Sequence, residues 1–165
     1  MQHQDFTTTI LVDQTPEQAL EAVTNLRGWW SEDIEGKPDQ LNEVIHYKYK
    51  DVHLCKLQLT EKTPGKRAVF HVLDNYFSVF SKDKTEWINT DLIFDLSTQN
   101  GKTKIQFTHK GLVPDYECYD VCNVAWRTYV NQSLYNLITK GKGQPTPKGE
   151  DGVNADLLRE RHLIS

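Results

Sequence analysis

The chain has 165 residues, 38% of them hydrophobic, and its 19 basic and 23 acidic side chains give a formal net charge of −4. This length is typical of one domain with at most a short appendage. The acidic balance argues against a nucleic-acid binder, which needs a basic surface, and against adsorption to anionic lipid. The unusual feature of the composition is its aromatic residues, since the chain has 4 Trp, 7 Tyr and 6 Phe but only one Met.

The sequence carries no feature of a membrane or secreted protein. No apolar run approaches the ~20 residues that a spanning helix requires. Residues 1–5 (MQHQD) are not basic and no apolar segment of a signal peptide follows them. Three cysteines, Cys55, Cys118 and Cys122, are too few for a disulfide framework. We therefore expect a cytoplasmic, reduced protein without membrane insertion.

The N-terminal segment predicts one strand followed by two short helices. Residues 6–12 (FTTTILV) are rich in Thr and β-branched side chains, which favours a strand. The sequence TPEQ at 15–18 combines an N-cap, a proline at the first helical position and a capping box, so a helix should run to about Asn25. A second short helix is expected over 26–30, broken at Gly28.

The middle of the chain, residues 43–109, alternates with period two and predicts a meander of antiparallel strands. The alternation that begins at Val52 is out of phase with the one that starts at Cys55. This shift predicts a β-bulge near Leu54. Asn-Gly at 100–101 is a strong hairpin signal between the last two strands.

Residues 117–140 contain neither Pro nor Gly and are followed by Gly141, which predicts a long C-terminal helix with a glycine at its end. The apolar side of this helix changes midway, so we expect it to be bent or contacted on two sides. A Gly- and Pro-rich stretch follows. The predicted division is a domain over 1–141 and a linker with a tail over 142–165, in which residues 154–164 are expected to form a short helix.

This order of elements predicts an α+β fold. A one-sided antiparallel sheet must cover its apolar face, and only the final helix is long enough to do so. A single helix does not fill a curved sheet, which leaves room for a ligand cavity between them.

Three stretches carry a family resemblance. They are TPEQALEAVT at 15–24 with the following Trp29-Trp30, GKTKIQFTHKGL at 101–112, and the helix end and turn over 126–145. Together they resemble the START/Bet v 1-like (SRPBCC) superfamily, in the branch named after the activator of the heat-shock-protein-ninety ATPase. The resemblance covers about residues 6–145. It implies a helix-grip fold, a curved sheet around a long C-terminal helix, with a hydrophobic cavity used for lipids, polyketides, signalling molecules or protein contacts. It carries over no shared catalytic set.

The aromatic residues on inward strand positions and on the long helix are the best candidates for lining this cavity, although packing in the core accounts for any single one of them equally well. The predicted ligand-binding residues are Trp29, Trp30, Tyr47, Tyr49, Phe70, Phe77, Phe94, Phe107, His109, Trp126, Tyr129 and Val130. Of His46, His53 and His71, we expect at most one to touch the cavity.

His109 and the cysteines are the candidates for chemistry. An imidazole at a cavity mouth can orient a ligand carbonyl or transfer a proton, whereas the commoner case is a histidine satisfied by backbone or water. Cys118 and Cys122 are spaced i, i+4, so both can lie on one side of a helix. This spacing is compatible with a metal site or with a nucleophile paired with His109, but two ordinary buried thiols are the commoner case. No metal, cofactor or catalytic residue is predicted.

Three functions follow as hypotheses. The first is binding of a small, largely hydrophobic molecule in the cavity. The second is a co-chaperone-like module that contacts a protein partner, with Leu157, Leu158, Leu163 and Ile164 of the tail as the docking side chains. The third is a cyclase or hydrolase that uses His109 with Tyr47 or Tyr119. We favour a binding protein over an enzyme.

Overall fold

The computed structural model describes residues 4–164. Its strands are β1 (Phe6–Val12), β2 (Ile34–Glu35), β3 (Val44–Tyr49), β4 (His53–Thr63), β5 (Arg67–Phe77), β6 (Asp91–Gln99) and β7 (Lys102–Lys110). Its helices are α1 (Pro16–Thr24), α2 (Leu26–Trp29), α3 (Tyr119–Thr128), α4 (Tyr135–Lys140) and α5 (Ala155–Glu160), with a π-helical segment, Tyr129–Leu134, between α3 and α4. Within the described residues, no helix has the length and apolar character needed to cross a membrane.

The strands of the described chain form one antiparallel sheet in the order β1-β7-β6-β5-β4-β3-β2. Its first strand therefore pairs with its last, as Phe6 lies opposite His109. The β6–β7 hairpin turns at Asn100 and Gly101, whose φ angles of 52° and 79° are the left-handed values that the Asn-Gly pair predicts. The helices cover one face of this sheet, which confirms the predicted α+β helix-grip architecture.

The predicted capping box of α1 is present. The Gln18 amide donates to Oγ1 of Thr15 at 3.2 Å, and the Thr15 amide donates to Oε1 of Gln18 at 3.0 Å. α2 runs through Gly28 instead of breaking there. Any side chain at this position would meet Asn25 and Leu137, so the glycine permits close packing rather than a chain break.

The long C-terminal helix changes its buried face through the π-helical segment. In α3 the buried residues are Val121, Cys122 and Trp126, and in the π segment they begin with Tyr129 and Val130. A π segment adds a residue to a turn, which rotates the following side chains by about 100° and lets one helix present two different faces. The helix ends at Gly141, whose φ of 81° is the predicted left-handed cap.

The predicted β-bulge near Leu54 is absent. Along β4 the inward positions are His53, Cys55 and Leu57, while Leu54 is 44% exposed. The alternation is therefore continuous from His53, and the prediction failed because it began the alternation at Val52, which precedes the strand. The register shifts of the β4–β5 pair occur further on, between Lys56 and Leu57 and between Leu59 and Glu61.

The tail packs against the rest of the chain. The Thr146 amide donates to the Trp30 carbonyl at 3.0 Å, and the Glu32 amide donates to the Thr146 carbonyl at 2.9 Å. In α5, Ala155 and Leu158 are buried, at 4% and 1% exposure. Leu157, Leu163 and Ile164 also pack against the core of the same chain. The division of the chain at residue 141 stays a prediction.

Candidate functional site

A cavity lies between the sheet, the long helix and the tail. β3, β4 and β5 form one wall, α3 and the start of the π segment form another, and the loop before β6 and the tail complete it. The side chains that line it are Trp30, Tyr47, Tyr49, Val52, His53, Phe77, Val79, Phe80, Trp87, Val121, Cys122, Ala125, Trp126, Tyr129, Asn154 and Leu158. The centre of a water-sized sphere can move through about 50 Å³ of it. One ordered water needs at least ~10–15 Å³ on this measure, so the closed cavity has room for only a few waters.

The predicted ligand-binding residues divide into two groups. Trp30, Tyr47, Tyr49, Phe77, Trp126 and Tyr129 line the cavity. The others, Trp29, Phe70, Phe94, Phe107, His109 and Val130, are buried in the adjoining core. That any of them binds a ligand stays a prediction.

The second group fills the part of the sheet that the cavity does not reach. Phe94 packs on Phe107 with ring centroids 4.9 Å apart, and Trp29 meets Phe94 edge to face at 5.9 Å. Val130 is fully buried on the π segment. These inward aromatic side chains close the interior at this end, because successive rings occupy the gap that a single helix leaves in a curved sheet.

The cavity residues missed at the sequence level come mainly from the first half of the long helix and from the loop before β6. Val121, Cys122 and Ala125 lie on the side of α3 that changes at the π segment, and the change of apolar face was the signal for them. The signal that His53 faces the cavity was the two-residue period of the strand, counted back from the inward Cys55. Trp87 lies in an irregular loop, where no periodicity places a side chain.

Stacked aromatic rings form the rigid side of the cavity. Trp30 stacks on Tyr47 with centroids 4.2 Å apart and an angle of 10° between the planes. Trp126 contacts Trp30 at 5.2 Å and stacks against Trp87 at 5.7 Å and 16°. Each of these rings stacks on another ring, so packing holds this wall in place before any flat apolar group binds.

His53 is a buried, uncharged member of the wall. Its Nε2 lies 2.6 Å from Oδ1 of Asn75, and its ring stacks on Phe77 at 4.0 Å. Burial lowers the pKa of His53 to about 3, which the hydrogen bond to Asn75 opposes only in part. Because the Asn75 oxygen accepts the Nε2 proton, Nδ1 is unprotonated, and no residue of the described chain pairs with it.

His109 is completely satisfied and lies outside the cavity wall. The indole Nε1 of Trp126 donates to its Nδ1 at 3.1 Å, so the proton is on Nε2, which donates to Oγ1 of Thr90 at 2.8 Å. The Thr90 hydroxyl donates in turn to the Trp87 carbonyl at 2.6 Å. Burial, and secondarily the nearby His53, lowers the pKa of His109 to about 3. Both nitrogens are occupied, so the ring is a structural link between sheet and helix and not an acid or base.

The cysteines are buried thiols. Burial raises the pKa of Cys55, and the hydrogen bond with Cys122 together with burial raises the pKa of Cys118. Thiols in this state are poor nucleophiles and poor metal ligands. Among residues 4–164 no group of three or more His, Cys, Asp or Glu side chains is arranged to hold a metal ion.

Polar atoms of the wall are few and partly unpaired. Nε1 of Trp87 and Nδ2 of Asn75, the partner of His53, are buried without a hydrogen-bond partner in the described part of the chain. No described residue pairs with the hydroxyl of Tyr47, and burial raises its pKa well above the usual value, so it stays a neutral donor. Such groups cost free energy until a ligand or water satisfies them.

The tail supplies the remaining side of the cavity through Asn154 and Leu158. The Gly152 amide donates to the Tyr49 hydroxyl at 2.9 Å, and the Tyr129 hydroxyl pairs with that of Thr146. Outside the cavity, Asp151 forms an ion pair with Lys50 at 2.6 Å, and within the tail it pairs with Arg159 at 2.5 Å. These exposed pairs are worth little individually. The tail is therefore attached mainly by Leu158 and by backbone hydrogen bonds.

Known structures share this architecture, whereas comparisons with family models and with curated proteins give no match. The Aha1 dimer from Colwellia psychrerythraea has a TM-score of 0.67 at 22% identity, over 85% of this chain and 99% of that one. DynU16, from the dynemicin biosynthetic locus, has a TM-score of 0.61 at 14% identity over 84% of this chain, which spans 48% of DynU16. CalU16 from Micromonospora echinospora scores 0.58 at 10% identity, over 82% and 76% of the two chains. The chain therefore shares the fold of these proteins, and this is the helix-grip architecture that its sequence motifs predict.

Proposed function

We propose that this domain binds a small, largely apolar molecule in the cavity between its sheet and its long helix. The observation that carries the proposal is the wall itself, in which stacked aromatic rings and a few polar side chains, those of Tyr47, His53 and Asn154, surround an open space. Simple core packing explains the rings of Trp29 and Phe94, which touch one another directly. It does not explain a space that the side chains of Trp87 and Tyr47 both line. Ligand sites combine an apolar lining with a few polar groups in this way.

Filling the cavity tests the proposal. Ala125 lines it from α3, and an Ala125→Trp substitution would place an indole in the space that the ligand needs. Val124 precedes it on the same helix and is 42% exposed, so Val124→Trp adds the same group away from the cavity. We expect Ala125→Trp to abolish the chemical-shift changes that a panel of small apolar compounds produces in NMR spectra, and Val124→Trp to preserve them.

The contrary result is equally clear. If no compound of a broad panel shifts the signals of Trp30, Tyr47 or Trp126 in the folded protein, the binding proposal fails. Binding that persists in a folded Ala125→Trp variant would place the site elsewhere.

A second candidate function is contact with a protein partner, in the form of self-association. The Colwellia protein of the same fold is a dimer. In this chain Leu54 and Tyr76 lie opposite each other on the outer face of β4 and β5, exposed by 44% and 45%. The tail supports a partner contact less well, because Leu158 is buried and Leu157, Leu163 and Ile164 are partly buried against the core of the same chain.

Light scattering after size exclusion tests this candidate. A dimer that Leu54→Asp converts to a monomer would support it, with Leu41→Asp as the control because Leu41 is exposed by 51% in the turn region before β3. A mass equal to the monomer over a wide range of concentration would exclude it.

A further inference from the structure

The cavity wall is uncharged. Its lining contains no Asp, Glu, Lys or Arg within the described chain, and its histidine, His53, is neutral because it is buried. An anionic ligand would lose its hydration on entering the cavity and would find no cationic side chain there. Burying an unpaired charge is far more costly than burying a neutral polar group. Carboxylates and phosphates are therefore poor occupants of this wall.

The polar groups of the wall suit a hydroxyl. Nδ1 of His53 is able to accept a hydrogen bond, and the Tyr47 hydroxyl is able to donate one or accept one. The rings of these two residues meet edge to face with centroids 5.1 Å apart, so both groups belong to one side of the cavity. A ligand hydroxyl can donate to the first and accept from the second, while the rest of the ligand lies against the stacked indoles.

The closed cavity is too small for such a ligand. Its 50 Å³ compares with the roughly 150 Å³ of an apolar cavity that admits benzene. The part of the wall that a ligand can replace is Leu158, since this side chain comes from a six-residue helix in the tail and not from the sheet or the long helix. It is 1% exposed and packs into the core as a ligand would.

We propose that the cavity takes an uncharged, ring-bearing molecule with a hydroxyl group, and that this ligand occupies the space of the Leu158 side chain, which the tail withdraws. The proposal rests on the binding function proposed above and adds the chemical class of the ligand and its route of entry. In the ligand-free protein Leu158 acts as a substitute ligand. It competes with the true one and keeps the aromatic wall covered.

Three compounds of similar size test the class, namely phenol, toluene and benzoate. Phenol is uncharged at neutral pH, toluene lacks the hydroxyl, and benzoate carries a charge. The expected order of affinity in NMR titrations of the full chain is phenol, then toluene, then benzoate, with benzoate weaker than phenol by about 100-fold or more because its charge is buried unpaired.

Variants of the tail test the route. Leu158→Ala removes the competing side chain and should tighten phenol binding about tenfold, since a larger fraction of the protein is then open. Leu41→Ala, at an exposed position, should leave the affinity unchanged. If Leu158→Ala does not fold, Asp151→Asn tests the same point with a smaller expected gain in affinity, because it removes the exposed ion pair that joins the tail to Lys50 outside the cavity.

The outcomes separate the proposals. Absence of phenol and toluene binding in every folded variant would overturn the binding function and this inference together. Benzoate binding as tightly as phenol would overturn the chemical class alone. Equal phenol affinity in the natural chain and in the tail variants would show that Leu158 is not displaced.

Discussion

Two buried histidines make the fold sensitive to mild acid. His53 and His109 have their pKa lowered from 6.5 to about 3, in both cases chiefly by burial. Below pH 6.5 the unfolded chain therefore binds two protons that the folded chain does not bind until the pH nears 3. The free energy of unfolding should fall as the pH is lowered through this window, because protonation then favours the unfolded state.

The size of the effect follows from proton linkage. Each proton bound only by the unfolded chain lowers the free energy of unfolding by about 1.4 kcal/mol per pH unit. Between pH 6 and pH 5 most unfolded chains carry both protons, which predicts a loss of about 2.5 kcal/mol. This is a large share of the roughly 5–15 kcal/mol that holds a typical domain folded.

Urea unfolding at closely spaced pH values, followed by tryptophan fluorescence, measures this slope. His53→Phe keeps an aromatic ring against Phe77 and removes one of the two proton-binding sites. The change of unfolding free energy per pH unit should therefore be halved, whatever the substitution does to stability at neutral pH. His46→Gln is the control, because the His46 side chain is exposed on the outer face of β3 in the folded state as it is in the unfolded chain. Equal slopes for the natural chain and His53→Phe would refute the reasoning.

Two further substitutions test the packing around the long helix. Thr90→Val removes the hydroxyl that pairs with the buried Nε2 of His109, and should lower the free energy of unfolding in urea by about 2 kcal/mol. The control is Thr9→Val at an exposed position, which should cost less than about 0.5 kcal/mol. Equal costs for the two variants would contradict the hydrogen-bond assignment. Gly143→Ala would place a methyl group 2.5 Å from the carbonyl oxygen of Gly28, so we expect the free energy of unfolding to fall by about 2 kcal/mol. An unchanged melting temperature would show that the tail approaches the helix less closely.

The fold was predictable wherever a signal is local. The capping box at Thr15, the hairpin at Asn100 and the helix end at Gly141 depend on backbone angles and on hydrogen bonds between near neighbours. The prediction failed at Leu54, where the alternation was counted from Val52 and the face of His53 was left open. A buried polar residue needs a partner that comes from elsewhere in the chain, and here it is Asn75 on the next strand.

The candidate site was predictable only in part, because an inward position is not the same as a position at the cavity. Phe70 and Phe77 both point inward from β5, yet Phe77 lines the cavity and Phe70 packs in the core. What separates them is which part of the long helix covers each end of this strand. That depends on the π segment and on how far the helix crosses the sheet, and neither is encoded in a short window.

By itself the sequence determined the class of the elements, their order and the need for one helix to cover a curved sheet, since periodicity and turn chemistry act over a few residues. Tertiary structure alone decided the size of the cavity, the satisfied state of His109 and the position of the tail. The hydrogen bond from Trp126 to His109 and the burial of Leu158 join segments far apart in the chain. The uncharged cavity and the place of the Leu158 side chain in its wall are thus products of packing, which depends on contacts that no local pattern specifies.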